Sequence, residues 1–388
     1  MANMKFIIDD KIPFIRGVFE PFGDVVYLPG AAIVKKDLLD ADCLLVRTRT
    51  HCDRDLLEGT PVKFIATATI GFDHIDTGWC ETNGIAWTNS PGCNSGSVAQ
   101  YITAALLEIA DRLGFDLKDK TIGIIGAGNV GKKVERIARL LGMTVLVNDP
   151  PRERDEGPEH FTSLPVLLQN SDIVTLHVPL NREGEDKTFH MVGRQFLKDL
   201  KPGATLINSS RGEVVNEAEV VRVFREFSQL GELKKPGLLV IDVWENEPEI
   251  NRELLDLAAI ATPHIAGYSQ DGKHNATRMI TDATCNFFGL TGDAETLNIE
   301  PLSCENLTLK PTSSHQSLIT CHSIVRATYN ILADDLLLRE SPETFEKQRN
   351  NYPIRREFSA YTIDPFPEGE IGQILKGLRF KNANNKLI

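Results

Sequence analysis

Thr121-Ile122-Gly123-Ile124-Ile125-Gly126-Ala127-Gly128-Asn129-Val130-Gly131 is the stretch that decides the fold. Its first half reads as a buried strand, and its G-x-G-x-x-G half opens a helix running to Leu141, where Gly142 supplies a stop. A second strand, Thr144–Asn148, ends at Asp149, 18 positions after Gly131. A glycine-rich turn alone is weak evidence. Strand, turn, helix, strand and acidic residue in this order form the context of a dinucleotide site. Gly126 permits the tight turn, Gly128 lets the backbone approach a pyrophosphate, and Gly131 lets helix and strand pack closely. Asn129 and Val130 stand in the same turn at the helix N-terminus, whose unpaired N–H groups and partial positive charge suit phosphate. Asp149 can accept hydrogen bonds from ribose hydroxyls and would repel a 2′-phosphate, so NAD is expected over NADP. Arg152 and Arg154, just beyond, pull the other way.

Outward from this motif the same rhythm continues. Short apolar runs at Lys5–Asp9, Val25–Leu28, Cys43–Val46, Phe64–Ala68 and Ile85–Thr88 precede it. Further runs at Ile173–His177, Thr205–Ser209, Leu239–Val243 and Ile260–Thr262 follow it. Each ends in polar or glycine punctuation, as parallel α/β sheets require. Between the two groups, residues 97–112 carry Val98, Tyr101, Ile102, Ala105, Leu106 and Ile109 at helical spacing, with Ser95 or Ser97 to cap the start. A second helical stretch covers residues 271–290. From Thr291 the texture changes: Leu307–Leu309 and Ile319–Val325 read as strands, Thr328–Arg339 and Thr344–Asn350 as helices.

Length and charge narrow the function classes. A chain of 388 residues suggests two or three domains. A net charge of −12 is a poor match to nucleic acid, whose phosphates dominate binding. It leaves room for a small anionic substrate, since a few arginines can reverse the field inside a cleft. No apolar run approaches the roughly 18 residues of a membrane span, and the N-terminus lacks the basic head and apolar stretch of a signal peptide, so no membrane association and a cytoplasmic location are expected. The 7 cysteines are widely spaced and form no C-x-x-C pair, which argues against disulfides and structural zinc. Cys304, His315, Cys321 and His322 fit no standard metal spacing, and no metal is expected.

Three polar residues follow three successive strands: Arg211, Glu247 and His264. Ligands of open α/β sheets bind beyond the carboxyl ends of the strands, so the three can converge on one crevice. Alone, each has a bland reading: a structural histidine, a surface arginine, a solvated acidic loop at Glu245-Asn246-Glu247-Pro248-Glu249. Together with the nucleotide motif they suit hydride transfer at a hydroxy acid. His264 can take the hydroxyl proton, since its ordinary pKa is about 6.5. Glu247 can orient the ring, and Arg211 can bind a carboxylate and polarise the reacting oxygen.

Asn208-Ser209-Ser210-Arg211-Gly212, Asp242-Val243-Trp244-Glu245-Asn246-Glu247-Pro248 and Thr262-Pro263-His264-Ile265-Ala266-Gly267 resemble the arginine, glutamate and histidine motifs of the D-isomer-specific 2-hydroxyacid dehydrogenase family. The resemblance covers roughly the first three quarters of the chain. It implies catalytic roles for Arg211, Glu247 and His264, with Asp242 near the nicotinamide carboxamide. It implies further NAD contacts at His177, Ser209, Ser210, Arg211 and Gly267. The implied architecture is two doubly wound parallel-sheet domains and a C-terminal α+β dimerisation domain. The flavodoxin-like substrate domain is expected in residues 1–95 and 266–290, the Rossmann NAD domain in 96–265, and the pairing module in 291–388. Arg47-Thr48-Arg49-Thr50, Ala68-Thr69-Ile70-Gly71-Phe72-Asp73-His74-Ile75-Asp76, Pro91-Gly92-Cys93-Asn94, Asp149-Pro150-Pro151-Arg152 and Gly267-Tyr268 are similar to a member of the family that acts on a phosphorylated hydroxy acid as a homodimer. They imply substrate contacts at Arg47, Thr48, Arg49, Thr69 and Tyr268. Thr48 stands where the family member has serine, and Arg49 where it has a small apolar residue; the added cation suits a phosphate. If the strand before them continues, Arg47 and Arg49 point the same way. Dehydrogenases of glycerate or phosphoglycerate, and an NAD-sensing protein without turnover, remain open alternatives.

Overall fold

Val, Ile and Leu crowd the short runs before each polar break, and in the computed structural model these runs are the strands of parallel sheets. Residues 4–229, 237–291, 299, 302–308 and 317–383 are described. β1 (Met4–Asp9), β2 (Gly23–Leu28), β3 (Cys43–Val46), β4 (Phe64–Thr67) and β5 (Ala86–Thr88) form a sheet in the order β2-β1-β3-β4-β5. Every pair is parallel, and the order is that of flavodoxin-like domains. β3 and β4 are buried along their whole length, which is why their sequences are near-continuous apolar runs, broken only by Thr67, rather than alternating ones.

β6 (Thr121–Ile125), β7 (Thr144–Asn148), β8 (Ile173–Leu176), β9 (Thr205–Asn208), β10 (Leu239–Ile241) and β11 (Ile260–Ala261) form the second sheet, in the order β11-β10-β9-β8-β6-β7. All its pairs are parallel too. The strand order reverses between β6 and β8, which opens a crevice beyond their carboxyl ends.

The chain divides into two compact units, residues 1–94 with 269–303, and residues 95–268 with 304–388. In the first, helix Gln270–Phe288 lays Ile280 and Cys285 against Phe6, Ile8 and Phe64 of the sheet. In the second, helix Ser95–Leu113 is buried nearly all round. Ser95 and Ser97 lie inside its first turn rather than before it. Its apolar residues share one core with Ile122 and Ile124 of the nucleotide sheet and with Ile324, Val325, Ile331, Ile363 and Leu375 of the C-terminal segment. The C-terminal segment, expected as a third body over residues 291–388, therefore shares the core of this unit through these residues.

The C-terminal segment differs from expectation in detail. Ile319–Val325 lies within a helix, Ser317–Thr328, not a strand. Its β-branched residues suggest extension, but the buried positions Cys321, Ile324 and Val325 recur at helical spacing. The helix expected over 328–339 begins only at Ile331 and runs to Glu340. β12 (Glu305–Thr308), β13 (Tyr361–Asp364) and β14 (Lys381–Asn382) pair in parallel in that order. Leu309 and His315 lie outside the described residues. Among the described residues no helix is long and apolar enough to cross a membrane.

Candidate active site

Gly126 has a φ of +90°, and a Cβ there would stand 2.5 Å from the carbonyl oxygen of His177. Only glycine lets the turn cross the end of β8 so closely. A Cβ on Gly131 would lie 2.0 Å from the carbonyl oxygen of Gly126, whereas one on Gly128 would meet nothing within 4 Å. The turn is thus packed tightly below and open at Gly128, as a pyrophosphate seat has to be. Asp149 begins helix Pro150–Glu156, accepting from the Arg152 N–H at 3.1 Å and from the Ala127 N–H at 2.7 Å. Arg152 donates to the Ala127 carbonyl and pairs with Glu156 at 2.6 Å; Arg154 pairs with Asp186. Both cations that favoured NADP are held by carboxylates, and the residues present fit NAD. His177 follows β8 with its Nε2 3.1 Å from Thr175 Oγ1. Desolvation holds its imidazole well below the usual histidine range, so it brings no charge to the crevice.

On the other half of the sheet, β9, β10 and β11 are neighbours, and Arg211, Glu247 and His264 follow them in turn. The structure joins the last two: His264 Nδ1 lies 2.7 Å from Glu247 Oε2. The second oxygen of Glu247 accepts the Trp244 N–H at 3.0 Å. Burial disfavours the Glu247 carboxylate, but the hydrogen bond and charge of His264, the Trp244 N–H and the charge of Arg349 outweigh it and hold the group below its ordinary value.

His264 has a φ of +56°, a left-handed conformation that non-glycine residues rarely adopt. Asp242 holds it there. Its backbone carbonyl accepts the His264 N–H at 2.7 Å. Its carboxylate accepts from Thr262 Oγ1 at 2.7 Å and from the N–H groups of Ile265 and Ala266 at 2.8 and 2.9 Å. Strain of this kind costs about 1–3 kcal/mol. Hydrogen bonds to a charged group contribute about 1.5–3 kcal/mol each, enough to offset it. Asp242 is fully buried, which raises its carboxyl above the ordinary range against the opposing pull of His264 and these donors. Both of its oxygens serve the histidine loop.

Arg211 stands apart from the pair: its Nη1 donates to the Ser210 carbonyl at 2.8 Å. Asn208 fixes the arginine loop, accepting from the Ser210 N–H and hydroxyl at 3.1 and 2.9 Å and donating to the Arg211 carbonyl at 3.0 Å. A Cβ on Gly212 would lie 1.9 Å from the Trp244 carbonyl oxygen, so the arginine and glutamate loops touch through a glycine. The Ser209 hydroxyl is buried without a protein partner, an orphan that suits a cofactor contact. Gly267 lies in the turn where the Tyr268 N–H donates to the Ile265 carbonyl at 2.8 Å.

In the first unit, Arg47 follows β3 and Thr69 follows the adjacent strand β4. The strand does not continue past Val46: residues 48–50 form a turn, so the same-side argument for Arg47 and Arg49 fails. Arg47 is half-buried, and its Nη1 donates to the Lys11 carbonyl at 3.3 Å; Thr48 and Arg49 are exposed. The Thr69 hydroxyl donates to the Gly71 carbonyl at 2.8 Å and lies 2.7 Å from that of Thr67, which in turn is 3.1 Å from His74 Nε2. Tyr268 belongs to the second unit, 6.0 Å edge-on from Tyr352.

Sequence reasoning missed Arg349 and Arg355. Arg349 Nη1 is 3.6 Å from Glu247 Oε2, and Arg355 Nη2 donates to the Ala266 carbonyl at 2.5 Å. Their only signal was a run of cations in a segment without a catalytic motif. No cluster of three potential metal ligands occurs among the described residues. Cys304 and Cys321 are unpaired, and His322 Nε2 lies 2.9 Å from Glu108 Oε1.

Residues 100–266 match the family described as D-isomer specific 2-hydroxyacid dehydrogenase, NAD binding domain. Residues 299–376 match a family described only as a domain of unknown function. The chain is 48% identical to the erythronate-4-phosphate dehydrogenase of Bacteroides thetaiotaomicron, over 93% of this chain and 99% of that one. It is 42% identical to the Porphyromonas gingivalis enzyme of the same name, over 97% and 100%. Among solved structures, the NAD+-bound 3-phosphoglycerate dehydrogenase of Entamoeba histolytica superposes with a TM-score of 0.60 at 27% identity, over 76% of this chain and 99% of that one.

Proposed function

Because the chain belongs to the erythronate-4-phosphate dehydrogenases, within the D-isomer-specific 2-hydroxyacid dehydrogenase family, we propose that it oxidises 4-phospho-D-erythronate to (R)-3-hydroxy-2-oxo-4-phosphobutanoate in pyridoxine 5′-phosphate (vitamin B6) biosynthesis. The observation that carries this reading is the 2.7 Å bond between His264 and Glu247 beyond the nucleotide sheet. With Nδ1–H held by the carboxylate, the lone pair rests on Nε2, which takes the proton of the C2 hydroxyl. Glu247 stabilises the imidazolium that forms. Arg211 binds the substrate carboxylate and polarises the reacting oxygen. Bound NAD supplies the hydride acceptor. Gly126, Gly128, Asn129, Val130 and Gly131 seat its pyrophosphate, Asp149 its ribose, and His177, Ser209, Ser210, Arg211, Asp242 and Gly267 line the remainder. Arg47, Thr48, Arg49, Thr69 and Tyr268 are the substrate contacts.

NADH formation measured with 4-phospho-D-erythronate, D-3-phosphoglycerate and D-glycerate tests the reading. The first acid should have the highest kcat/KM; a preference for either of the others overturns the substrate.

The domain roles follow: residues 1–95 with 266–290 take the substrate, 96–265 the cofactor, and 291–388 pair two copies in the cytoplasm. Ile331 and Leu338 are buried within the chain, but Leu336, Leu337 and Ile354 are 57%, 49% and 77% exposed. Large apolar side chains so placed support a symmetric homodimer. Sedimentation of the intact chain should give about twice the monomer mass, and a monomer would refute the pairing.

A further inference from the structure

Helix Phe345–Asn350 belongs to the segment that matches a domain of unknown function, yet it reaches the catalytic pair. Phe345 is fully buried in the apolar cluster that holds Trp244 and Ile250, which flank Glu247 in sequence. One helical turn on, Arg349 therefore sits in a fixed place. Its Nη1 is 3.6 Å from Glu247 Oε2 and 3.5 Å from Glu346 Oε2, its guanidinium carbon is 5.8 Å from the rings of Tyr268 and Phe345, and its Nε is buried without a hydrogen-bond partner. The chain beyond it is pinned as well. Arg355 lies 4.4 Å over the ring of Tyr329 and donates to the Ala266 carbonyl, while the hydroxyls of Tyr329 and Tyr352 both donate to Asp334. Two arginines of one strap thus touch the two loops that carry Glu247 and His264.

We propose that Arg349 is a positioning residue for the proton transfer, holding the Glu247 carboxylate against His264 and adding a positive charge to the pair. This rests on His264 acting as the base. Among the described residues the charged groups that bear on the pair are Arg349 with its partner Glu346, Asp242 beneath His264 with Arg355 beside it, and Glu217, which interacts with Glu245 and Glu247. Among the described residues Arg349 is the arginine that pairs with Glu247 itself, and its charge favours release of the proton that His264 and Glu247 share.

Removing the charge makes the pair keep its proton to higher pH. Even screened as strongly as in water, Coulomb's law at this separation gives a shift of about 0.5–1 pH unit. In the full-length enzyme, Arg349→Met and Arg349→Gln should move the acidic limb of the kcat/KM profile for oxidation upward by that amount. kcat should fall about 3–10-fold through loosened geometry, and NAD affinity should stay at the parental value. Arg349→Lys should return the limb to its parental position. A limb that stays in place in whichever neutral variant folds, or equal losses in the neutral and lysine variants, overturns the proposal. A parental enzyme inactive on every acid of the panel would instead sink the functional reading.

Discussion

His264→Ala should lower kcat by about 10²–10⁴, the range that a general acid–base residue supplies, and should leave NAD affinity nearly unchanged. The site is built so that the two effects separate. His264 follows β11, at the far end of the strand order from the β6–β8 crevice where the glycine turn lies. The ring bonds to Glu247, whereas the loop around it is held by its backbone, through Asp242. Removing the imidazole therefore removes the base and leaves the loop's anchors. Alanine in a left-handed conformation costs about 1–2 kcal/mol, so His264→Asn, which tolerates that conformation better, is the companion variant. Steady-state turnover and titration of NAD check both. If either variant kept half of the parental turnover, the base would have to be another residue.

Arg47→Ala should raise KM for the phosphorylated acid by about 10–150-fold with little effect on NAD. A chain of net charge −12 repels a dianion at a distance, so the phosphate needs concentrated cations at contact. Arg47 stands at the carboxyl end of β3, beside the end of β4. Its one described bond, to the Lys11 carbonyl at 3.3 Å, is long and neutral, and leaves most of the guanidinium's donors available. Charge-assisted hydrogen bonds are worth about 1.5–3 kcal/mol, and at about 1.4 kcal/mol per tenfold this gives the stated range. KM for phosphorylated and unphosphorylated erythronate should converge in the variant. Should the preference survive both Arg47→Ala and Arg49→Ala, the phosphate binds elsewhere.

What could be read without the structure follows from local physics. The glycine motif, the buried strands and the succession of Arg211, Glu247 and His264 each carry their own signature, because parallel strands buried on both faces must be short apolar runs and turns must be glycine or polar. Pairwise outcomes were less legible. That Glu247 bonds His264 follows from neighbouring strands, so topology was enough; that Arg211 turns to the Ser210 carbonyl was not written in any motif. The C-terminal segment was read worst. Ile319–Val325 has the composition of a strand, but Cys321, Ile324 and Val325 are buried at helical spacing, and tertiary packing decided it. Arg349 and Arg355 contact residues about a hundred positions earlier, and no periodicity reports a contact of that range. The turn after Val46 broke an argument that assumed the strand went on.

Asp149 carries a consequence for anyone who would retrain the enzyme to another coenzyme. The same carboxylate that would face the ribose also starts helix Pro150–Glu156 and tethers the glycine turn through the Ala127 N–H. Deleting it to admit a 2′-phosphate unfastens the turn and frays the helix start in one stroke, at about 0.5–2 kcal/mol for the lost cap alone. Asparagine keeps an oxygen for one of those bonds while discarding the charge. A lineage drifting toward NADP is therefore expected to pass through Asp149→Asn, with Arg152 released from Glu156 afterwards, rather than through a small apolar residue.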